Sequence, residues 1–339
     1  MTSPRASESL PASRMTGFGA AGSSSVAGSS GGRRMRGGRT PGTARLSYES
    51  RKRRTQLLFV APAVVFLAAF AVFPIIQLFR MSVSDVRVSN LGSDWQFVGL
   101  ENVVRNLGQG AFGGVVVNTL LFVAIVTTIG LIGGLAVAIL LAKSGRWSAT
   151  ILALLVFVWA LPPVVNGSVW KFLLGTQGLI NSVLLDLGLI DSAVPFLFDD
   201  RIALLSVAMV NAWVVIPFNA LVFRASIISI PAEAFEAARV DGASRWQEIR
   251  FITIPAVRPT SLVLFVLTVV YGFRSFDFIY VMTFGGPGTA TTTLPFLGYV
   301  QAFIRFDFGL GSATAVIAVL MVAVLAVIYS RSVRREEIG

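Results

Sequence analysis

Six apolar runs, each about 20 residues or longer, constrain this chain more than any other feature of it. They fall at Leu57–Phe79, Val115–Leu141, Ile151–Leu173, Ile202–Phe223, Leu262–Phe284 and Leu310–Tyr329. As helices they would be roughly 30–40 Å long, enough to cross a hydrocarbon core of about 30 Å. A soluble helix needs a polar face, and these runs mostly lack one. Of the 339 residues, 55% are hydrophobic and only 13% charged, too little polar surface to enclose the apolar volume. The fold class predicted is therefore all-α: a polytopic membrane protein with six transmembrane helices.

The net charge of +11 suggests nucleic acid until its placement is considered. The basic residues cluster at Arg33–Arg54, at Lys143 and Arg146, between Arg224 and Arg258, and at Arg331–Arg335. With an even number of spans these clusters share one side, and the positive-inside rule makes it the cytoplasm. Both termini are expected there, and no nucleic-acid partner is expected. Residues 1–54 are rich in Gly, Ser and Arg and read as a disordered basic cytoplasmic tail. Translation from Met15 or Met35 would shorten that tail, and no signal-peptide pattern precedes the first span. The membrane-spanning body is expected over 55–335.

Several functions are excluded. Cys and His are both absent, so no thiolate or imidazole metal site and no Ser-His or Cys-His pair exists. No Gly-x-x-x-x-Gly-Lys-Ser/Thr phosphate loop occurs, so ATP would have to be used by another chain. No catalytic residue is assigned, and no metal or cofactor is expected on this chain. A channel, a self-powered secondary transporter, or the membrane subunit of a machine with a separate engine remain.

The connection between runs four and five, residues 231–259, distinguishes these. Pro231 suits a first helical position, with Glu233 and Glu236 in the first turns where acids favour the dipole. Ala234, Ala237 and Ala238 form a small-residue face. Gly242 after Asp241 fits a left-handed helix stop, and Ser244 with Gln247 a capping box. Trp246, Ile249 and Phe251 give the second helix apolar anchors, and Pro255 and Pro259 end it. Two short helices on the basic side have the form of a docking element.

This segment resembles the EAA loop of ABC importer permeases. Glu236-Ala237-Ala238 is followed after three residues by Gly242 and after nine more by Ile252, then Ile254-Pro255, with Ile254 where Leu is usual. The resemblance extends over about 57–330 through FVGLENVV (97–104), NTLLF (118–122), ALPPVVNGSVWKFLL (160–174), GLINSVLLDLGL (178–189) and FRSFDFIYVMTFGGPGTATTTL (273–294). These segments are similar to those of sugar-type permeases, the first permease of maltose and glycerol-3-phosphate systems in particular. The resemblance implies a type I importer permease fold in a bacterial inner membrane. It implies a second homologous permease, two copies of a cytoplasmic ABC ATPase holding ATP and Mg, and an extracytoplasmic solute-binding protein. It assigns Glu236, Ala237, Ala238, Asp241, Gly242, Ile252 and Pro255 to ATPase coupling. Glycerol phosphate, another polyol or an amino acid are alternative solutes.

Polar residues inside the spans are candidates for the translocation path, because such groups face protein or water. Asn166 follows Pro162-Pro163, which predicts a kink in span three. Asn211, Trp213 and Asn219 lie in span four. Arg274 and Asp277, three apart in span five, are expected on one helical face as an interfacial ion pair or as lining of the outer cavity. Phe273, Phe276, Phe278 and Tyr280 read mainly as packing and interface aromatics that could also stack on a sugar.

Overall fold

A computed structural model describes residues 59–142 and 145–336, so the 1–54 tail and Lys143 lie outside the described residues. Of two compact units, Met1–Val64 and Val65–Gly339, the first contributes only residues 59–64, the opening turns of the first helix.

Helix α1 (Phe59–Ser82) leads into a two-stranded antiparallel ribbon, β1 (Ser84–Asp85) against β2 (Gln96–Phe97). A short helix α2 (Glu101–Leu107) precedes α3 (Phe112–Leu140), the second span. Span three is α4 (Arg146–Ala160) and α5 (Pro163–Leu173), and α6 (Leu179–Asp186) follows. Span four is α7 (Ala203–Ile228). The loop carries α8 (Ala232–Val240) and α9 (Arg245–Glu248), which passes through a π turn at Ile249–Thr253. Span five is α10 (Arg258–Arg274) and α11 (Asp277–Met282); α12 (Leu294–Tyr299) and the last span α13 (Phe308–Glu336) complete the chain.

Among the described residues, five helical segments are long and apolar enough to cross a membrane, and α4 with α5, bent by 99°, makes a sixth when read as one broken span. The predicted kink is thus a full break. Pro162 has no N–H for the Val158 carbonyl, and Leu161 is extended (ψ 140°).

Side-chain contacts show that this bent pair still returns the chain across the bundle. A β-carbon on Gly130 would meet Val215 and Asn219, and one on Gly134 would meet Asn219 and Ala220, so α3 and α7 run parallel. Two parallel neighbours need a return crossing between them. Conversely, Gly130 lies near Thr268 but Val123 near Gly272, so α10 runs antiparallel to α3. One face of the bundle gathers the ends of α3 and α7, joined by Arg224 Nε to the Leu141 carbonyl at 2.8 Å. There too Thr260 Oγ1 meets Ser226 Oγ at 3.0 Å. The 231–257 loop belongs to this face.

The opposite face is stitched by buried and half-buried polar side chains, most of them from the motifs noted above. Asn102 Nδ2 donates to the carbonyls of Ser82 (3.1 Å) and Ser84 (2.9 Å). Asn106 Nδ2 donates to the Leu310 carbonyl at 3.2 Å, and its Oδ1 accepts from Gln301 Nε2 at 2.7 Å. Asn118 Nδ2 reaches the carbonyls of Thr289 and Thr292, and Thr119 Oγ1 accepts from the Leu294 N–H. Asn181 exchanges two bonds with the Val194 backbone. Each satisfies backbone groups at helix ends or in loops that would otherwise lack a partner within the chain.

Two apolar clusters fill the middle. Phe122, Val126, Val207, Val210, Val214, Phe278 and Ile279 pack in the half nearer this stitched face, and Ala138, Phe223, Ile227, Val257 and Leu264 nearer the loop.

Candidate functional site

The loop between α7 and α10 forms as its residue types require. Pro231 is the N-cap of α8 rather than its first helical residue, and Glu233 occupies the first turn. Gly242 has φ +80°, the left-handed conformation that L residues avoid. The Ala243 N–H bonds the Ala238 carbonyl at 2.8 Å and the Gly242 N–H the Arg239 carbonyl at 3.1 Å, a complete Schellman stop. Ser244 and Gln247 form the capping box, with the Ser244 N–H donating to Gln247 Oε1 at 2.7 Å.

One contact here was not legible in the spacing. Arg239 Nε donates to Glu248 Oε1 at 2.8 Å and clamps α8 to α9. The hydrogen bond, then the charge of Glu248, raises the Arg239 pKa above its ordinary value. The two residues are nine apart, a distance no helical repeat flags.

With its backbone satisfied internally, the loop turns side chains outward. Glu236, Ala237, Asp241 and Gly242 are exposed, as is Pro255, while Ala238 and Ile252 are half-buried. Trp246 and Phe251 are exposed rather than packed into this chain, and Val240 is 88% exposed. An apolar rim beside acidic groups is a surface shaped to be covered.

The span residues divide differently. Asn166 is buried, and its Nδ2 donates to the Val158 carbonyl at 3.1 Å, the acceptor deprived by Pro162. Asn219 is fully buried and exchanges long contacts of 3.4 Å with Thr268 Oγ1. Asn211 is fully buried and donates to Ser275 Oγ at 2.6 Å, while its Oδ1 has no hydrogen-bond partner among the described residues.

Ser275 marks a correction. Arg274 and Asp277 do not share a helical face, because α10 ends at Arg274 and Ser275 is extended (ψ 109°) before α11 begins. None of the ion pairs among the described residues joins them. Arg274 is exposed and Asp277 half-buried. The structure thus brings Asn211, Arg274 and Asp277 to one place, the break in span five. Helix α5, which follows the break in span three, lies beside α11: Gly167 packs against Val281, and Lys171 Nζ donates to the Val281 carbonyl at 3.0 Å. Of the aromatics, Phe273 and Phe278 are buried, and Phe276 and Tyr280 pack together at 5.3 Å with Tyr280 partly exposed. Sequence reasoning missed Ser275, which is unremarkable until Asn211 is found opposite it.

Among the described residues, six apolar crossings, two of them discontinuous, with a two-helix loop presented from one face, have the form of a membrane-embedded subunit. The chain belongs to the family described as binding-protein-dependent transport system inner membrane component, which residues 130–336 match. It is 29% identical over 288 residues to the trehalose/maltose transport system permease of Thermococcus litoralis, covering 85% of this chain and 95% of that one. It is 30% identical over 284 residues to the sulfoquinovosyl glycerol transport system permease of Agrobacterium fabrum, covering 83% and 91%. The fold matches a chain of a bacterial ABC transporter involved in import of the acidic polysaccharide alginate, with TM-score 0.74, 21% identity, and 86% and 99% covered. This chain is accordingly the inner-membrane component of a binding-protein-dependent transport system.

Proposed function

We propose that the chain passes a sugar or oligosaccharide across the membrane, driven by a separate ATPase that docks on the 231–257 loop. The exposed rim of Val240, Trp246 and Phe251 beside Glu236 carries this reading, because nothing among the described residues covers it. Glu236 is placed for a polar contact with the ATPase, while Ala237 and Ala238 permit close approach. Asp241, Gly242, Ile252 and Pro255 hold the loop's shape. ATP and Mg belong to that ATPase, present in two copies, and this chain performs no chemistry itself. The loop and both termini then face the cytoplasm. A second homologous permease completes the pathway, and an extracytoplasmic solute-binding protein delivers the solute to the opposite face. The carbohydrate-related transport of the relatives named above supports the substrate class.

Coupling works only if the loop contacts different ATPase states differently, since equal affinity shifts no equilibrium. Arg274, Asp277 and Asn211 at the break in span five are the path residues, with Asn166 and Asn219 supporting the neighbouring helices. The test is a mild-detergent pull-down of tagged chain from its own membranes. Recovery of an ATPase and a second permease, with the ATPase lost in Gly242→Asp, supports the reading. Recovery of an oligomer of this chain alone would overturn it in favour of a channel or secondary transporter.

A further inference from the structure

Helix α2 has its polarity inverted. Asn102 and Asn106 are 2% and 0% exposed, while Leu100, Val104 and Leu107 are 68%, 64% and 63% exposed. Leu100, Val104 and Leu107 are spaced by four and three, so they form one stripe on the face away from the two asparagines. Phe97, in the strand just before, is 74% exposed. A water-facing helix would reverse this arrangement.

The depth of α2 is set by its hydrogen bonds. Asn102 holds the carbonyl of Ser82, the last residue of α1, and Asn106 holds the carbonyl of Leu310, in the first turn of α13. Helix α1 has 24 residues, about 36 Å against a hydrocarbon core of about 30 Å, so its end reaches the boundary of the membrane. Helix α2 therefore lies across the ends of spans one and six at that boundary. The Arg80 guanidinium sits 5.0 Å from the Trp95 ring in the same region, the residue types that favour a membrane–water interface. Glu101 and Arg105 flank the stripe, and no charge interrupts it. Beyond it, the last two turns of α1 continue the exposed apolar surface through Ile75, Ile76 and Phe79.

We propose that α2 is an interfacial anchor, which lays Phe97, Leu100, Val104 and Leu107 into the lipid leaflet on the face opposite the 231–257 loop. A helix of this kind sits at the headgroup–acyl boundary with its apolar side down. Its hydrogen bonds to α1 and α13 would hold those two span ends at a fixed depth while the rest of the bundle moves. The inference uses the membrane crossing of α1 and does not depend on the solute.

The chain has no Cys, so single substitutions can be labelled directly. Leu100→Cys, Val104→Cys, Leu107→Cys and, as a control, Glu101→Cys would each carry bimane. They would be studied in the assembled transporter in nanodiscs, with thiol-free partner chains and only variants that assemble like the parent. The expected result is that doxyl-labelled phospholipid removes most of the fluorescence at 100, 104 and 107 and iodide little, with the reverse order at 101. Strong iodide quenching along the stripe would show a water-facing helix and overturn the proposal. Protection from both quenchers would show that a protein, the second permease or the binding protein, covers the stripe, and would overturn it equally.

Discussion

Gly134 and Asn219 touch so closely that a β-carbon on Gly134 would lie 2.5 Å from the Asn219 Cβ and 3.1 Å from the Ala220 nitrogen. Together with Gly130 this is a Gly-x-x-x-Gly seam, the arrangement that lets two membrane helices approach backbone to backbone. Gly134→Ala should therefore destabilise the chain by about 1–3 kcal/mol through overpacking. Gly113→Ala and Gly114→Ala, where a β-carbon meets nothing within 4 Å, should leave it near the parent. Thermal unfolding in detergent followed by size-exclusion chromatography would show the ordering; equal midpoints for all three would refute it.

The turn at Gly242 fails for a different reason. No atom lies within 4 Å of a β-carbon there, so the cost comes from its φ of +80°. A left-handed L residue costs roughly 1–2 kcal/mol, with Asn tolerated best. Transport rates should fall in the order Gly, Asn, Ala, with Asp lowest if its charge also opposes docking beside Asp241. Uptake in membrane vesicles measures this order, and an Ala variant as active as the parent would contradict it.

Asn166 supports the bend in span three. Asn166→Leu keeps the size but leaves the Val158 carbonyl with only the longer bond from the Leu161 N–H, at about 0.5–1.5 kcal/mol for the lost hydrogen bond. The expected outcome is a lower unfolding midpoint with the chain still assembled. An unchanged midpoint would mean that the Leu161 N–H, 3.3 Å from the same carbonyl, suffices.

Arg105 and Asp307 meet at 3.3 Å between α2 and the start of α13, with 39% and 15% of their side chains exposed. Partial exposure limits such a pair to about 0.2–1 kcal/mol. A double-mutant cycle with Arg105→Ala and Asp307→Ala should give a coupling in that range, shrinking as salt is raised. Asp307 also accepts from the Leu310 N–H, so Asp307→Ala alone should cost more than Arg105→Ala. Equal single-variant losses would remove that second role.

Much of the 231–257 loop was legible because its determinants are local. A glycine stop, a capping box and an acidic first turn each act within five residues, and each formed as read. The partners of those residues were not legible. Arg239 and Glu248, or Asn211 and Ser275, meet only because separate helices fold against each other. The pairing of Arg274 with Asp277 was misread for a related reason: three-residue spacing implies a shared face only while the helix continues, and Ser275 ends it. Trp246 and Phe251 were read as apolar anchors and are exposed, because an amphipathic repeat tells which side is apolar, not what covers it.

The amino-acid sequence by itself determined that this chain lives in a membrane, which segments cross it, and where the loop turns, because these follow from hydrophobic length and local backbone chemistry. Only the tertiary structure decided that span three breaks by 99° yet still returns the chain, since a proline removes one hydrogen bond without setting the angle. It alone showed that α3 and α7 run parallel along a glycine seam, and that α2 turns its asparagines inward. Those outcomes depend on close packing and hydrogen bonds between residues as much as about 200 positions apart, as with Asn106 and Leu310, and a sequence repeat has no such range.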